Sequence, residues 1–273
     1  MTFSGTPVPP LPETKPVQPR RASDTQCFDN LFGLDAAKAY LKHFIFPHLP
    51  ASLLITGMPG DGKTMLLRAI AGELDIEPTP IRFEFHLKYY GEAERYLTDL
   101  FDEAAAQPLS FVFLDDADHF LCDDPRFSHI TRKLLELLDR PLPDGHRMLF
   151  AAASNAPWML PDAFVYSMKH HIHLPGATAE ERRDFLKAWA ESVPHEAGLD
   201  LSIIERTVDN TPRSELKTLC NRISNRVINR GLQTNDFNVA VTQHDVDSSL
   251  DRPLFVHPPE AVARMAAWVE RHP

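Results

Sequence analysis

Apolar residues fall along this chain in short runs separated by longer stretches with helical spacing. Ser52-Leu-Leu-Ile-Thr56 is apolar without alternation and stops at a glycine loop, as a strand buried within a sheet does. Residues 81–86 alternate enough for a second strand, Phe111-Val-Phe-Leu114 reads as a third and residues 147–153 as a fourth. His171-Ile-His-Leu174, stopped by Pro175-Gly176, reads as a fifth. Between them lie helical stretches. Across residues 92–106, Leu97, Leu100, Phe101 and Ala104 recur at offsets 0, 3, 4 and 7, which puts them on one face. Strands alternating with helices imply an α/β architecture with a parallel sheet covered on both faces.

After Pro175 the strand pattern ceases. Residues 177–193 and 213–230 are helical in spacing, the second with Leu216, Leu219, Cys220, Ile223 and Val227 in one stripe. A last helix opens at Pro258-Pro259 and carries Val262, Met265 and Val269. At the other end, residues 1–24 hold Pro7, Pro9, Pro10, Pro12, Pro16 and Pro19 and little to bury, which predicts an extended, disordered leader. Pro9/Pro12 and Pro16/Pro19 have the spacing of polyproline ligands. The expected organisation is therefore a leader over 1–24, an α/β domain over 25–175, a helical domain over 176–250 and a C-terminal helix over 251–273.

Composition narrows the function classes. The 273 residues suffice for about two domains. With 43% apolar and 24% charged residues, the balance is that of a globular chain. A net charge of −10 argues against a broad grip on nucleic-acid phosphates. Cys27, Cys122 and Cys220 are odd in number and far apart, which fits reduced cytoplasmic thiols and neither a disulfide framework nor a zinc pattern. No apolar run approaches the roughly 20 residues of a membrane span, so no membrane partner is expected.

Glycine is scarce, with 11 in the chain, yet Gly57, Gly60 and Gly62 fall within six positions. They belong to Gly57-Met58-Pro59-Gly60-Asp61-Gly62-Lys63-Thr64, which fits G-x-x-x-x-G-K-[ST] and leads from the apolar strand into a helix opened by Met65. The motif needs that context. Glycines let backbone amides turn towards a phosphate, and the helix N-terminus adds a favourable dipole. Lys63 brings a point charge to the β- and γ-phosphates of ATP, and Thr64 a hydroxyl ligand for Mg²⁺. About 50 residues further on, Phe111-Val-Phe-Leu-Asp115-Asp116 ends a strand in two carboxylates. Asp115 is placed to hold the Mg²⁺ shell, and Asp116 to orient the attacking water.

Together these segments resemble the AAA subgroup of the AAA+ ATPases, which includes the katanin, spastin and vesicle-fusion ATPases. The resemblance runs from about 28 to 231. Phe28-Asp-Asn-Leu-Phe32-Gly33, with Ala37-Lys38, is similar to the entry segment that lines the adenine pocket, placing Phe32 and Gly33 at the base. Leu87-Lys-Tyr89-Tyr90-Gly91-Glu92 is similar to the aromatic pore loop. Ala153-Ser-Asn155-Ala-Pro157 is similar to the sensor-1 turn, which makes Asn155 the polar contact to the γ-phosphate and water. Arg213, after Thr211-Pro212, is a candidate sensor-2 arginine reaching back to the phosphates, a feature of other AAA+ branches. The resemblance implies sheet order 5-1-4-3-2, a helical lid over the nucleotide, and a homo-oligomeric ring, usually a hexamer.

Two departures bear on rate. The family's glutamate after the metal aspartate is Asp116 here, which retracts the carboxylate by about 1.5 Å, and misplacing a catalytic group by about 1 Å costs about 10²-fold. Where the family carries an arginine pair that acts in trans on a neighbour's ATP, this chain reads Phe164-Val-Tyr166-Ser167-Met-Lys169. A missing arginine of this kind is worth about 10³–10⁵ in rate, and Lys169 lacks its planar fork. His171 and His173 share a strand face but lack further metal ligands, Trp158 reads as packing, and Asp123, Asp124 and Arg126 lie where a second pore loop falls. The expected function is an Mg²⁺-dependent ATPase, slow in isolation, whose ring remodels a protein client brought by an adaptor and gripped by Tyr89. Two rivals are an ATP-gated assembly switch or regulatory subunit with weak hydrolysis, and a nucleic-acid remodeller, which the charge disfavours.

Overall fold

The computed structural model describes residues 27–83, 91–121, 127–202, 211–236 and 238–272. Its centre is a five-stranded sheet of β1 (Ala51–Gly57), β2 (Thr79–Pro80), β3 (Leu109–Leu114), β4 (Arg147–Ser154) and β5 (His170–Leu174). All neighbours are parallel, in the order β2-β3-β4-β1-β5. This is the order 5-1-4-3-2 expected from the resemblance, met from the other edge. The central strands are buried on both sides, which is why they read as continuous apolar runs.

The two-residue period of a strand divides the core into two layers. Leu54, Val112, Leu114, Phe150 and Ala152 face α3 (Glu92–Ala105), α5 (Ser128–Leu138) and α6 (Asp162–Ser167). Their sequence neighbours Leu53, Ile55, Phe111, Leu149, Ala151 and Ala153 face α1 (Asp35–Tyr40) and α2 (Lys63–Leu74), together with Phe28 and Leu31 of the entry segment. A short turn of helix, α4 (Ala117–Phe120), follows β3. Beyond β5, the described residues form α7 (Ala179–Ser192), α8 (Arg213–Thr234), α9 (Gln243–Leu250) and α10 (Pro259–Arg271). A separate small core of Leu186, Leu219, Cys220, Ile223, Val227 and Val246 joins α7, α8 and α9. Burial there pushes the Cys220 thiol up to about 12, so it acts as an apolar residue and not a nucleophile.

One expectation needs correction. The second strand is not 81–86. It is the edge pair Thr79–Pro80, extended by Ile81 N–H donating to Phe113 O at 2.8 Å. Proline offers the ladder no donor, which confines β2 to the edge. Ile81 and Phe83 are buried in the core without strand geometry, and residues 84–86 lie outside those described. The C-terminal helix turns the expected face inward, with Val269 half-buried against the core and Trp268 added beside it. Met265 and Trp268 are its buried residues, with Val262 half-buried. Trp268 joins the α/β core, stacked between His171 (centroids 6.3 Å apart) and His272 (4.3 Å).

Candidate functional site

The carboxyl ends of parallel strands open on one edge of a sheet, and ligands of open α/β folds bind there. Here that edge collects the loop after β1, the two carboxylates after β3 and the turn after β4. Gly57 to Thr64 wraps from β1 into α2, whose first amides have no partner of their own within the helix. Asp61 and Lys63 are buried, Met58, Gly62 and Met65 partly so, and Pro59, Gly60 and Thr64 are exposed. The lid touches this loop directly: Ser214 N–H donates to Gly60 O at 3.0 Å. A Cβ at Gly60 would strike the Ser214 hydroxyl and come 3.0 Å from Pro212, and φ there is +86°. No side chain fits.

Lys63 Nζ donates to Gly57 O and Met58 O, both at 2.8 Å. Burial holds its pKa below the ordinary lysine range, against the pull of Asp61, Asp115, Asp116 and Asp118. A buried ammonium held by two neutral carbonyls has spare capacity for an anion, which is what a phosphate site requires. Thr64 Oγ1 donates to Asp115 Oδ2 at 2.7 Å, so the hydroxyl and the carboxylate proposed for Mg²⁺ already stand together. Hard oxygen donors at this separation suit that ion.

Asp116 sits in the left-handed region, at φ 50° and ψ 46°, where aspartate is tolerated better than most residues. Its Oδ1 accepts from Asn155 Nδ2 at 2.7 Å, which brings the proposed base and the sensor-1 residue into one pair. Sequence reasoning missed what fixes that pair. Asp118, 4% exposed, accepts through Oδ1 from Ser154 Oγ at 2.7 Å and from Asn155 N–H at 3.0 Å. The signal available was an acid two residues beyond Asp116, which by itself reads as the first turn of α4.

Phe32 is 36% exposed and meets the Phe185 ring edge-on at 5.1 Å, beside Gly33. Arg213 makes no hydrogen bond to the phosphate loop. Its Nη2 donates to Glu181 Oε2 at 2.8 Å and its Nη1 to Pro175 O at 2.5 Å. Of the residues expected in a pore loop, Gly91 caps α3, while Tyr89 and Tyr90 lie outside the described residues, as do Asp123, Asp124 and Arg126. Tyr166 is 77% exposed at the end of α6, and Lys169 N–H donates to Ser52 Oγ. Trp158 packs on the core and lies 4.3 Å beneath the Arg264 guanidinium. His171 contacts Val165 O and His173 contacts Thr56 Oγ1, and no cluster of three or more histidine, cysteine or carboxylate side chains that could hold a metal occurs among the described residues.

A phosphate loop, a paired acid and hydroxyl, and a polar turn after β4 define a P-loop nucleotide-binding fold. Residues 53–176 match the family described as "ATPase family associated with various cellular activities (AAA)". Over those residues the chain is similar to the AAA ATPase family. Among similar proteins, the ATP-dependent zinc metalloprotease YME1 homolog of Schizosaccharomyces pombe is 29% identical over 255 residues, covering 83% of this chain and 34% of the relative. The outer mitochondrial transmembrane helix translocase of Danio rerio is 26% identical, covering 63% and 49%. The proteasome-activating nucleotidase of Methanothermobacter thermautotrophicus is 28% identical, covering 63% and 44%. The chain thus spans a third to a half of these relatives. The crystal structure of the FIGL-1 AAA domain in complex with ADP matches with a TM-score of 0.72 at 22% identity, over 90% of each chain, which establishes the shared fold.

Proposed function

We propose that this chain binds and hydrolyses ATP with Mg²⁺, assembles into a homo-oligomeric ring, hexameric in form, and uses the cycle to remodel a protein client. The observation that carries the nucleotide reading is the convergence of Lys63, Thr64–Asp115 and Asp116–Asn155 on one sheet edge. Lys63 exchanges its carbonyl partners for the β- and γ-phosphates. Thr64 and Asp115 would hold Mg²⁺, which would supply positive charge to offset that of the phosphates. Asp116 orients the attacking water and takes its proton, held by Asn155.

Ring assembly and client remodelling draw support from relatives, one of which is named for translocating a transmembrane helix. Tyr89 is the proposed client contact, since a planar aromatic grips extended chain without reading its sequence. A second reading, an ATP-gated switch with little hydrolysis, draws on Tyr166 and Ser167 standing where the family carries arginines.

Particle mass and phosphate release, measured with and without Mg-ATP, test both. We expect nucleotide-dependent rings and turnover below about one per second, the low edge of ordinary enzyme rates. Asp116→Asn should preserve binding and lower turnover about 10²-fold, the low end for a lost general base. Asparagine also suits the left-handed backbone, so a fall in affinity would contradict the assigned role. Tyr89→Ala should leave binding and assembly intact and abolish client remodelling; intact remodelling would favour the switch.

A further inference from the structure

One carboxylate ties the base side of the site to the lid. Glu181, the third residue of α7, accepts Leu34 N–H through Oε1 at 3.1 Å. Through Oε2 it accepts Thr178 N–H at 2.9 Å and Arg213 Nη2 at 2.8 Å. A Cβ on Gly33 would come 2.5 Å from Oε1, so the entry segment is glycine where it passes this side chain.

Arg213 is held on the near side of the phosphate loop. The next residue, Ser214, is bonded through its amide to Gly60 O, so the guanidinium springs from the residue beside a loop contact. Its Nη1 and Nη2 are committed to Pro175 O and Glu181, while its Nε is buried without a hydrogen-bond partner. In the phosphate loop itself, Asp61 Oδ1 is also buried without a partner, and the Arg213 charge acts on Asp61. Buried polar atoms are nearly always satisfied, and an unmatched donor on Arg213 together with an unmatched acceptor in the loop on which its charge acts marks a junction with more than one arrangement.

We propose that Glu181 sets the discrimination between nucleoside triphosphate and diphosphate, by holding Arg213 until a terminal phosphate competes for its guanidinium. This rests on the nucleotide reading above and names a residue that acts through Arg213. A ligand shifts such an equilibrium only by its differential affinity for the two arrangements. Phosphate and carboxylate both match the guanidinium fork. The triphosphate brings an additional charged group to win the exchange, and the diphosphate does not. When Arg213 leaves, Glu181 keeps Leu34 and Thr178, so the entry segment stays anchored while the lid responds. Glu181 is a positioning residue.

Calorimetric affinities of the full chain for a non-hydrolysable ATP analogue and for ADP, each with Mg²⁺, give the decisive ratio. Glu181→Gln keeps the shape and one acceptor oxygen but loses the charge. It should raise the analogue-to-ADP affinity ratio about tenfold, the worth of one charge-assisted hydrogen bond released from competition. Adding Arg213→Ala should cancel the gain. Arg213→Ala alone should weaken the analogue and leave ADP unchanged, which keeps the test open if the glutamine variant fails to fold. A ratio that moves less than about twofold in Glu181→Gln, a gain that survives Arg213→Ala, or an analogue affinity untouched by Arg213→Ala would each overturn the latch. Lys63→Ala separates the two levels. If Lys63→Ala abolishes binding while Glu181→Gln leaves the ratio fixed, the latch alone falls, and if Lys63→Ala binds both nucleotides normally, the nucleotide reading falls with it.

Discussion

The floor of the site and its roof are built on different terms. Three short hydrogen bonds lock the floor: Thr64 to Asp115, Asn155 to Asp116 and Ser154 to Asp118, each at 2.7 Å. Ser154, Asn155, Asp115 and Asp116 stand at or just past the ends of β4 and β3, which pair side by side, and Thr64 and Asp118 lie in the first turns of the helices that follow β1 and β3. The roof hangs on Glu181 and Arg213, where Arg213 Nε is buried without a hydrogen-bond partner, as is Asp61 Oδ1 in the phosphate loop that the roof meets. Preorganised dipoles stabilise charge without reorganising, so rigidity belongs in the floor. Unmet polar capacity belongs where a part must move. The division assigns chemistry to the strand ends and response to the helices beyond β5.

The largest effect should come from the floor's one buried cation. Lys63→Ala should weaken ATP binding by about 10²-fold or more, the loss of two charge-assisted hydrogen bonds. Lys63 is 5% exposed, and burial disfavours its charge. Its removal should therefore leave the unfolding midpoint of the nucleotide-free protein unchanged or higher. Calorimetry and thermal unfolding together check this. Lower stability in the nucleotide-free protein would show that Lys63 holds the loop together, and that the floor is less self-sufficient than its hydrogen bonds imply.

How much of this was legible follows the same division. The loop from Gly57 to Thr64 and the pair Asp115–Asp116 are contiguous, and strand-to-loop context places them without tertiary knowledge. The sheet order followed from the resemblance, and the strands from their apolar runs, save β2, where Pro80 cut the ladder short. The supports were not legible because they join distant positions. Asp118 acts on residues 36 and 37 positions away, Glu181 on Leu34 at 147 and on Arg213 at 32. Glu180-Glu181-Arg182-Arg183 reads as a solvated helix face until α7 is docked. Arg213 was expected at the phosphates from its place at the head of a lid helix, and only the fold reveals its carboxylate partner.

A middle-sized effect should come from Asp118. Asp118→Ala strips the acceptor from Ser154 Oγ and Asn155 N–H, the former fully buried. Unmet buried donors cost about 1–3 kcal/mol each, so denaturant unfolding should register roughly that loss. Turnover should fall about 10–10²-fold as Asn155 loses its placement under Asp116. Asp118→Asn keeps an acceptor oxygen and should recover most of both. Full activity in Asp118→Ala would mean that strand pairing alone positions Asn155, which would sharpen the contrast by making the floor stiffer still.

The smallest effect belongs to the roof's own helix cap. Thr178 Oγ1 accepts from Glu181 N–H at 3.1 Å, and Glu181 returns a bond to Thr178 N–H, closing a capping box on α7. Thr178→Ala should cost about 1 kcal/mol by denaturant unfolding, the usual worth of such a cap. It should also alter the pH response. Burial raises the Glu181 pKa, but the donors Thr178, Leu34 and Arg213 outweigh it and hold the carboxyl below the usual range. A carboxyl lowered on folding stabilises the native state above its unfolded value, about 4.3, and that contribution fades as pH falls through the folded value. Wild type should therefore lose lid stability on acidification below about pH 4.3 beyond what Glu181→Gln loses, with Arg213→Ala in between. Thr178→Ala should shift that acid transition slightly upward, since one of the donors holding the charge is then less well placed. Identical acid profiles in wild type and Glu181→Gln would show that the charge contributes nothing to the roof, leaving its hold to packing between α7, α8 and the entry segment.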